Sequence, residues 1–474
     1  KALPDNEIEN SIIRSEIDAV IFDKKYVEFF KKLKNNPKTN IKQFICMDKV
    51  DDFTSLQYLI ENGNNLIDSG NDSYNNVVID NKKMSVMLFT SGTTSISKIV
   101  MLSQYNICSN IYSTGCIAKV TSCDTFLSFL PLHHTYESTT TFLYGLYCGI
   151  TIAFCDGLRY IVQNLKEYKV TGFVCVPLLL ESMYKKIRNN IEKKHLTTLF
   201  NILTLFCNFL LKFGIDIRRI VFKSVLKQLG GHLRVIVYGA VSMDPTAIKG
   251  LSNLGINLLN GYGLTETSPI LSAENDLYKK PGSVAFPLPD MEVKIYEPNE
   301  QGIGEIIAKG PSVMLGYYNN DEANKEVFRD GWFHTGDLGY YDNDGYLFIS
   351  GRKKNVIVLK NGKNIYPEEI EILVSRLPFV QENMVFGKPT DDNDLCISVK
   401  IVYNREYMEK EYPNISKDNY YDIIWKQIKE LNKLLPPYKH IKNLILTDEP
   451  MIKTTTQKIK RNEELKRINE RGNL

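Results

Sequence analysis

Between residues 86 and 264 short apolar runs alternate with amphipathic ones, and this alternation constrains the fold more than any other feature. "VMLF" comes first; "TGFVCV" at 171–176 leads into "PLLLESMYKKI", and "LRVIVYGA" at 233–240 leads through "MDPTAIKGLSNL" to "INLLNGYG". Short strands separated by helical stretches spell βαβ units and largely parallel sheets, with ligands expected at the carboxyl ends of the strands. After residue 282 the texture changes. "MEVKIYE", "GEIIAKG" and "YLFIS" are brief strands set between Gly, Pro and Asn, with the hairpin signal "NDG" at 343–345. They predict an antiparallel, barrel-like portion. The basic cluster "GRKKN" at 351–355 marks a domain boundary, and "PEEIEILVSRL" and "YYDIIWKQIKELNKLL" beyond it read as amphipathic helices. The expected class is α/β: a large N-terminal domain of layered α/β subdomains with a small β-barrel portion over residues 1–352, then a smaller α+β domain over 353–474.

A net charge of +3 on 474 residues gives no global field for nucleic acid. Nine cysteines without a CxxC pair read as reduced core thiols of a cytosolic protein. The opening "KALPDNEIENSIIRSEIDAVIF" carries no signal-peptide pattern and looks like the middle of a domain. Residues 196–215, "LTTLFNILTLFCNFLLKFGI", are apolar but interrupted by Asn201, Asn208 and Lys212. That run is too broken for a membrane span; a buried or groove-covering helix is favoured over one lying on a membrane surface.

Four constellations could carry chemistry. "LFTSGTTSISKIVML" at 88–102 gathers hydroxyls, Gly92 and Lys98 between two apolar runs. Such a loop suits an anion such as a triphosphate, though a solvated turn has the same composition, and no Walker motif is present. "NGYGLTETSP" at 260–269 flanks Tyr262 with Gly261 and Gly263, which would let a flat ligand stack on the ring, and adds Thr265 and a potential magnesium ligand in Glu266. In "GWFHTGDLGYYDNDGYLFISGRKKN", Asp337 in a glycine turn and Arg352 could hold a ribose diol; an Asx turn with a surface arginine is the plainer alternative, and His334 reads as a packing residue. "TTTQKIKR" at 454–461 sets Lys458 in a hydroxyl-rich loop, able to neutralise charge at a phosphoryl or carboxyl centre.

In their order and spacing the four resemble the ANL superfamily of adenylate-forming enzymes. The family's "[YF]TSGTTGxPK" looks like 89–98, "GYGxTE" matches 261–266, "TGD" matches 335–337, "GRxKxxIxxxGxxIxPxEIE" matches 351–371, and "TxxGKIxR" looks like 454–461. Within it the chain is most similar to bacterial long-chain fatty-acyl-CoA synthetases, through "FLPLHHTYE" at 129–137, the apolar insertion at 196–215 and "IRRIVFKSVLKQLGGHLRVIVYGA" at 217–240. Burying each methylene is worth about 0.8 kcal/mol, so a long acyl chain suits an apolar tunnel.

The resemblance implies an acid–thiol ligase that activates a fatty acid with ATP as acyl-adenylate, then transfers the acyl group to CoA. It implies Mg2+ and phosphate binding by Thr90, Ser91, Gly92, Thr93, Thr94 and Lys98, with Thr265 also on phosphate and Glu266 on the metal. Tyr262 would stack on adenine and Asp337 and Arg352 bind ribose, with Gly239, Ala240 and Gly263 also at the nucleotide. Lys458 matches the adenylation lysine, His134 a histidine at the acyl-site entrance, Lys354 the hinge of a mobile C-terminal domain, and Gly362 the point nearest the pantetheine arm. Ser95 and Gln457 stand where the family has glycine and Ser97 where it often has proline, and the family usually has a further stretch of N-terminal domain before anything resembling residues 1–20, so the chain is expected to be either a fragment or an unusually short member. Two other readings stay open: a ligase loading a carrier protein in trans, and a non-catalytic nucleotide- or lipid-binding relative. The expected setting is cytoplasmic, with peripheral contact at the cytoplasmic face of a membrane through residues 196–215 as a further option.

Overall fold

The computed structural model describes residues 3–90, 97–239, 245–360, 362–390, 395–413, 415–454 and 458–472. Ser91, Gly92, Thr93, Thr94 and Ser95 of the first motif, together with Ala240 and Gln457, lie outside the described residues. The chain divides into two compact units, Lys1–Met87 and Leu88–Leu474.

The first unit is built on three parallel strands, Ala19–Phe22, Gln43–Cys46 and Thr54–Ser55. Phe30 and Leu33 from the helix Val27–Lys34 close its core with Phe22, Cys46 and Phe53. The Phe22 and Phe30 rings lie 4.2 Å apart and Phe22 meets Phe53 edge-on at 5.1 Å, the contacts by which aromatic rings fill a small core.

The second unit centres on a seven-stranded sheet. Five of its strands are parallel, in the spatial order Thr151–Phe154, Thr125–Ser128, Gly172–Cys175, Val235–Gly239 and Asn257–Gly263. Helices lie on both faces, so the strands are apolar on both sides: Leu127, Ile236 and Leu258 join one cluster, and their neighbours Phe126, Val235 and Leu259 join the other. The βαβ reading therefore holds. The antiparallel portion is a five-stranded sheet of Glu292–Tyr296, Gly304–Lys309, Trp332–Tyr341, Phe328–Arg329 and Leu347–Arg352. Its predicted hairpin turns where expected: Asp342 accepts hydrogen bonds from the amides of Asp344 (3.0 Å) and Tyr346 (2.9 Å), and Gly345 takes φ +81°. Beyond Arg352, strands Val380–Pro389, Leu395–Tyr403 and Ile441–Thr447 carry the helices Pro367–Ser375 and Tyr420–Asn432. Tyr420, Ile424, Ile428 and Leu431 form the buried stripe of the second.

Two expectations change. All nine cysteines are free thiols, yet Cys46, Cys175 and Cys207 are buried whereas Cys108, Cys116 and Cys123 are exposed, so "core thiols" describes only part of the set. The apolar run forms the helix Thr197–Leu211, and it is only half buried, with one face on the core and the other open. Phe200, Leu203 and Cys207 face the core, but Leu205 is 71% exposed and Phe209 57%.

Candidate functional site

From Thr125–Ser128 the chain moves to one side of the sheet at Thr151–Phe154, then returns to the other side at Gly172–Cys175. The order reverses there, and the carboxyl ends at such a reversal form the crevice of an open α/β sheet. The segment that follows the strand Thr125–Ser128 carries His134, the residue before the short helix Thr135–Glu137. This imidazole is held near pH 4, first by burial, then by the neighbouring His133 and by Lys458, so it is neutral at physiological pH. Its ring lies 4.5 Å from that of His133. Behind it, the Tyr136 hydroxyl donates to the carbonyls of Cys175 (3.3 Å) and Val237 (3.4 Å), tying the 129–137 segment to the strand ends.

The strand Asn257–Gly263 delivers the second group. Gly239 and Gly263 have local reasons to be glycine: a Cβ on Gly239 would sit 2.4 Å from the Gly261 carbonyl oxygen, and one on Gly263 only 1.9 Å from that of Pro269. At Gly261 nothing lies within 3.9 Å. The open space beside Tyr262 is thus on the Gly261 side, and the Gly263 backbone packs closely against Pro269. The turn carrying Thr265 and Glu266 is fixed by the fully buried Asn110, whose amide donates to the carbonyls of Thr267 (3.2 Å) and Ile270 (2.7 Å).

The antiparallel sheet supplies the third group. Asp337 and Arg352 are cross-strand partners, with Arg352 Nε 2.7 Å from Asp337 Oδ1. The Tyr262 hydroxyl donates to Asp337 Oδ2 at 2.8 Å, and burial, then the Asp337 charge, raises its pKa well above the usual phenol value. Gly336 turns the chain at φ +72°, and the Thr335 hydroxyl accepts from the Asp337 amide at 3.1 Å. The plain Asx-turn alternative is set aside, because the Asp337 carboxylate is committed to groups from two other strands. His334 packs as expected, buried with Nδ1 3.2 Å from Glu305.

Glu266 accepts a hydrogen bond from the Tyr317 hydroxyl at 2.9 Å, and the Lys98 ammonium stands 4.5 Å over the same ring. Tyr317 arrives because Gly316–Tyr317 pairs with the strand Lys98–Ser103. The sequence reading missed it: a strand of two residues, paired with one some two hundred positions away, leaves no local signal. The Thr90 hydroxyl donates to the Lys98 carbonyl at 3.3 Å and so joins the two ends of the hydroxyl-rich segment.

Lys458 completes the cluster from the far end of the chain. Thr454 donates its amide to the Lys458 carbonyl (2.8 Å) and accepts the Lys458 amide on its hydroxyl (3.1 Å). Lys458 is open to solvent, but protein crowds its ammonium. This desolvation lowers its pKa, helped by Arg352 and opposed by Asp337 and Glu266. Lys354 lies in the same field, its pKa lowered by burial and Arg352, raised by Asp337, and lowered again by Lys98. Four cations thus lie within one another's fields together with two carboxylates, an arrangement that attracts anions. Gly362 forms a different feature, the turn between Ile357–Val358 and Asn364–Ile365, at φ +76° with open space around its α-carbon.

Among the described residues no group of three His, Cys, Asp or Glu side chains could hold a metal. A single carboxylate at Glu266 suits magnesium shared with phosphate oxygens, the usual arrangement for that ion.

The AMP-binding enzyme family matches residues 1–318, and the AMP-binding enzyme C-terminal domain matches residues 354–471. Long chain acyl-CoA synthetase 6, peroxisomal, of Arabidopsis thaliana is 32% identical over 322 residues, which cover 64% of this chain and 46% of that protein. The chloroplastic long-chain-fatty-acid–[acyl-carrier-protein] ligase AEE15 of the same plant is 26% identical over 451 residues, covering 82% of this chain and 61% of that one. The chain therefore spans less than two thirds of the length of these curated relatives. The crystal structure of ATP-bound MatB from Rhodopseudomonas palustris matches with a TM-score of 0.73 at 22% identity, over 99% of this chain and 82% of that one; the likeness shows a shared α/β fold.

Proposed function

The chain belongs to the AMP-binding enzyme family, and from that premise we propose that it is an acid–thiol ligase, an AMP-forming long-chain fatty-acyl-CoA synthetase. A fatty carboxylate oxygen attacks the α-phosphorus of ATP, the bond to the β-phosphate oxygen breaks, and pyrophosphate leaves. The CoA thiol then loses its proton and attacks the acyl carbonyl; the carbonyl-to-phosphate oxygen bond breaks and AMP leaves. The observation that carries this reading is the convergence of Lys458 with Arg352, Asp337, Glu266 and His134 in one electrostatic cluster. An ammonium there neutralises charge as carboxylate and phosphate approach.

In this reading Asp337 and Arg352 hold the ribose and Tyr262 the adenine, beside Gly239 and Gly261. Residues 90–98, Lys98 among them, and Thr265 take the phosphates. Magnesium, when bound, would offset phosphate charge, and Glu266, oriented by Tyr317, is the carboxylate that would hold it. His134, neutral at physiological pH, walls the acyl entrance without competing for the carboxylate. Residues 353–474 act as the mobile domain, turning about Lys354 so that the region of Gly362 meets the pantetheine arm in the second step. The enzyme works in the cytoplasm, where a peripheral membrane contact through residues 196–215 brings it to fatty acid held in the bilayer. A carrier protein acting in trans is the second acceptor to consider, favoured by the similarity to the acyl-carrier-protein ligase.

The test is a panel of fatty acids scored by pyrophosphate release, with CoA and an acyl-carrier protein compared as acceptors. Release that depends on a long-chain acid, with thioester on CoA, supports the assignment; ATP binding without any acyl-adenylate would leave a non-catalytic binding protein.

A further inference from the structure

The helix Thr197–Leu211 is apolar on two sides. With Phe200, Leu203 and Cys207 turned to the core, Leu199, Ile202, Phe206 and Phe209 are each at least half exposed, as is Phe213 just beyond, its ring 5.2 Å from that of Phe209. Steps of three and four residues place these five on one stripe. A lone exposed leucine is ordinary; a continuous stripe of aliphatic and aromatic side chains marks an interaction surface.

The surrounding charge selects what covers it. Residues 185–227 contain ten lysines and arginines against two carboxylates, Glu192 and Asp216, although the whole chain carries only +3. Arg218 is engaged by Asp216 and Arg219 by the carbonyls of Leu233 and Gly255. Lys193 and Lys194 just before the helix and Lys212 at its end are all exposed. A second copy of the chain would set these cations against themselves, which opposes self-association. A surface with anionic headgroups above hydrocarbon matches both the stripe and its rim. No helix among the described residues is long and apolar enough to cross a membrane, and a helix lying in the interface needs no such length.

We propose that Thr197–Leu211 lies flat in an anionic lipid surface, with Leu199, Ile202, Phe206, Phe209 and Phe213 entering the hydrocarbon boundary and Lys193, Lys194 and Lys212 at headgroup level. This surface stands independently of the reaction chemistry, and it turns the general idea of membrane contact into a choice of lipid charge, insertion face and anchoring residues.

Cosedimentation of the full chain with phosphatidylcholine vesicles, with and without phosphatidylserine, tests it. With three lysines at the rim, binding should be at least about tenfold tighter with phosphatidylserine and should fall as salt is added. The double variant Phe206→Glu with Phe209→Glu should lose more than about tenfold in binding while its thermal melt stays native, since both positions face solvent. Lys193→Glu with Lys194→Glu should abolish the phosphatidylserine preference. Absence of binding to anionic vesicles, or equal binding by the Phe206/Phe209 variant, would overturn the proposal. So would a concentration-dependent dimer that this variant dissolves, which would mean that a second copy covers the stripe. Pyrophosphate release from a dissolved acid without vesicles reports on the reaction separately.

Discussion

Asp337→Asn removes one charge from the centre of the proposed nucleotide site at almost constant shape. The carboxylate meets Arg352 at 2.7 Å and accepts the Tyr262 hydroxyl at 2.8 Å; an amide oxygen can serve only one of them. Breaking a fully buried ion pair costs about 3–5 kcal/mol. Here the Arg352 side chain is 40% exposed, so water solvates the freed guanidinium and the stability cost should stay near ~1–2 kcal/mol. Nucleotide binding should suffer more. Charge-assisted hydrogen bonds to a ribose diol are worth about 1.5–3 kcal/mol, so ATP affinity should fall roughly 10–100-fold. Isothermal titration with ATP and urea unfolding of the same samples separate the two effects. Lowered stability with unchanged ATP affinity would refute the ribose assignment and reduce Asp337 to an anchor for Arg352 and Tyr262.

Three further outcomes follow from local geometry. Gly263→Ala, whose Cβ meets the Pro269 oxygen at 1.9 Å, should destabilise the fold by about 1–3 kcal/mol, whereas Gly261→Ala, open to 3.9 Å, should fold normally and weaken nucleotide binding; denaturant melts and ATP titration compare them. Burial raises the Glu137 carboxyl to about 7 despite hydrogen bonds from Ser128 and Thr141. Its folded pKa therefore exceeds the unfolded value of 4.5, and the folded chain binds the extra proton. Stability should fall by about 3 kcal/mol between pH 4.5 and 7 on this account; Glu137→Gln should remove that slope, and an unaltered slope in pH-dependent urea melts would refute the assignment. Tyr317→Phe keeps the ring beneath Lys98 but loses the hydrogen bond to Glu266, so the magnesium concentration for half-maximal pyrophosphate release should rise severalfold with little change in melting temperature.

What could be read in advance was local. A glycine beside Tyr262, a TGD turn and the 342–346 hairpin each depend on a few adjacent residues whose backbone needs are written in their own side chains. What escaped depends on distant pairing. Tyr317 matters only because its short strand reaches Lys98–Ser103, and Gly263 is required by a neighbour carbonyl that no composition reveals. The helix Thr197–Leu211 shows a third limit: with apolar residues on two faces, periodicity cannot say which is covered, and only packing of Phe200, Leu203 and Cys207 decides it. Lys458 was recognisable by its motif, but its position among Arg352, Asp337 and Glu266 follows from how the chain beyond Arg352 packs.

Exchange of labelled pyrophosphate into ATP, dependent on a fatty acid, reports the first half-reaction alone and tests the central role of Lys458 most directly. Lys458→Ala should lower exchange by roughly 100–1000-fold, the scale of losing one transition-state charge contact, while thioester formation from preformed acyl-adenylate persists. Exchange undiminished in that variant would contradict the role assigned to Lys458.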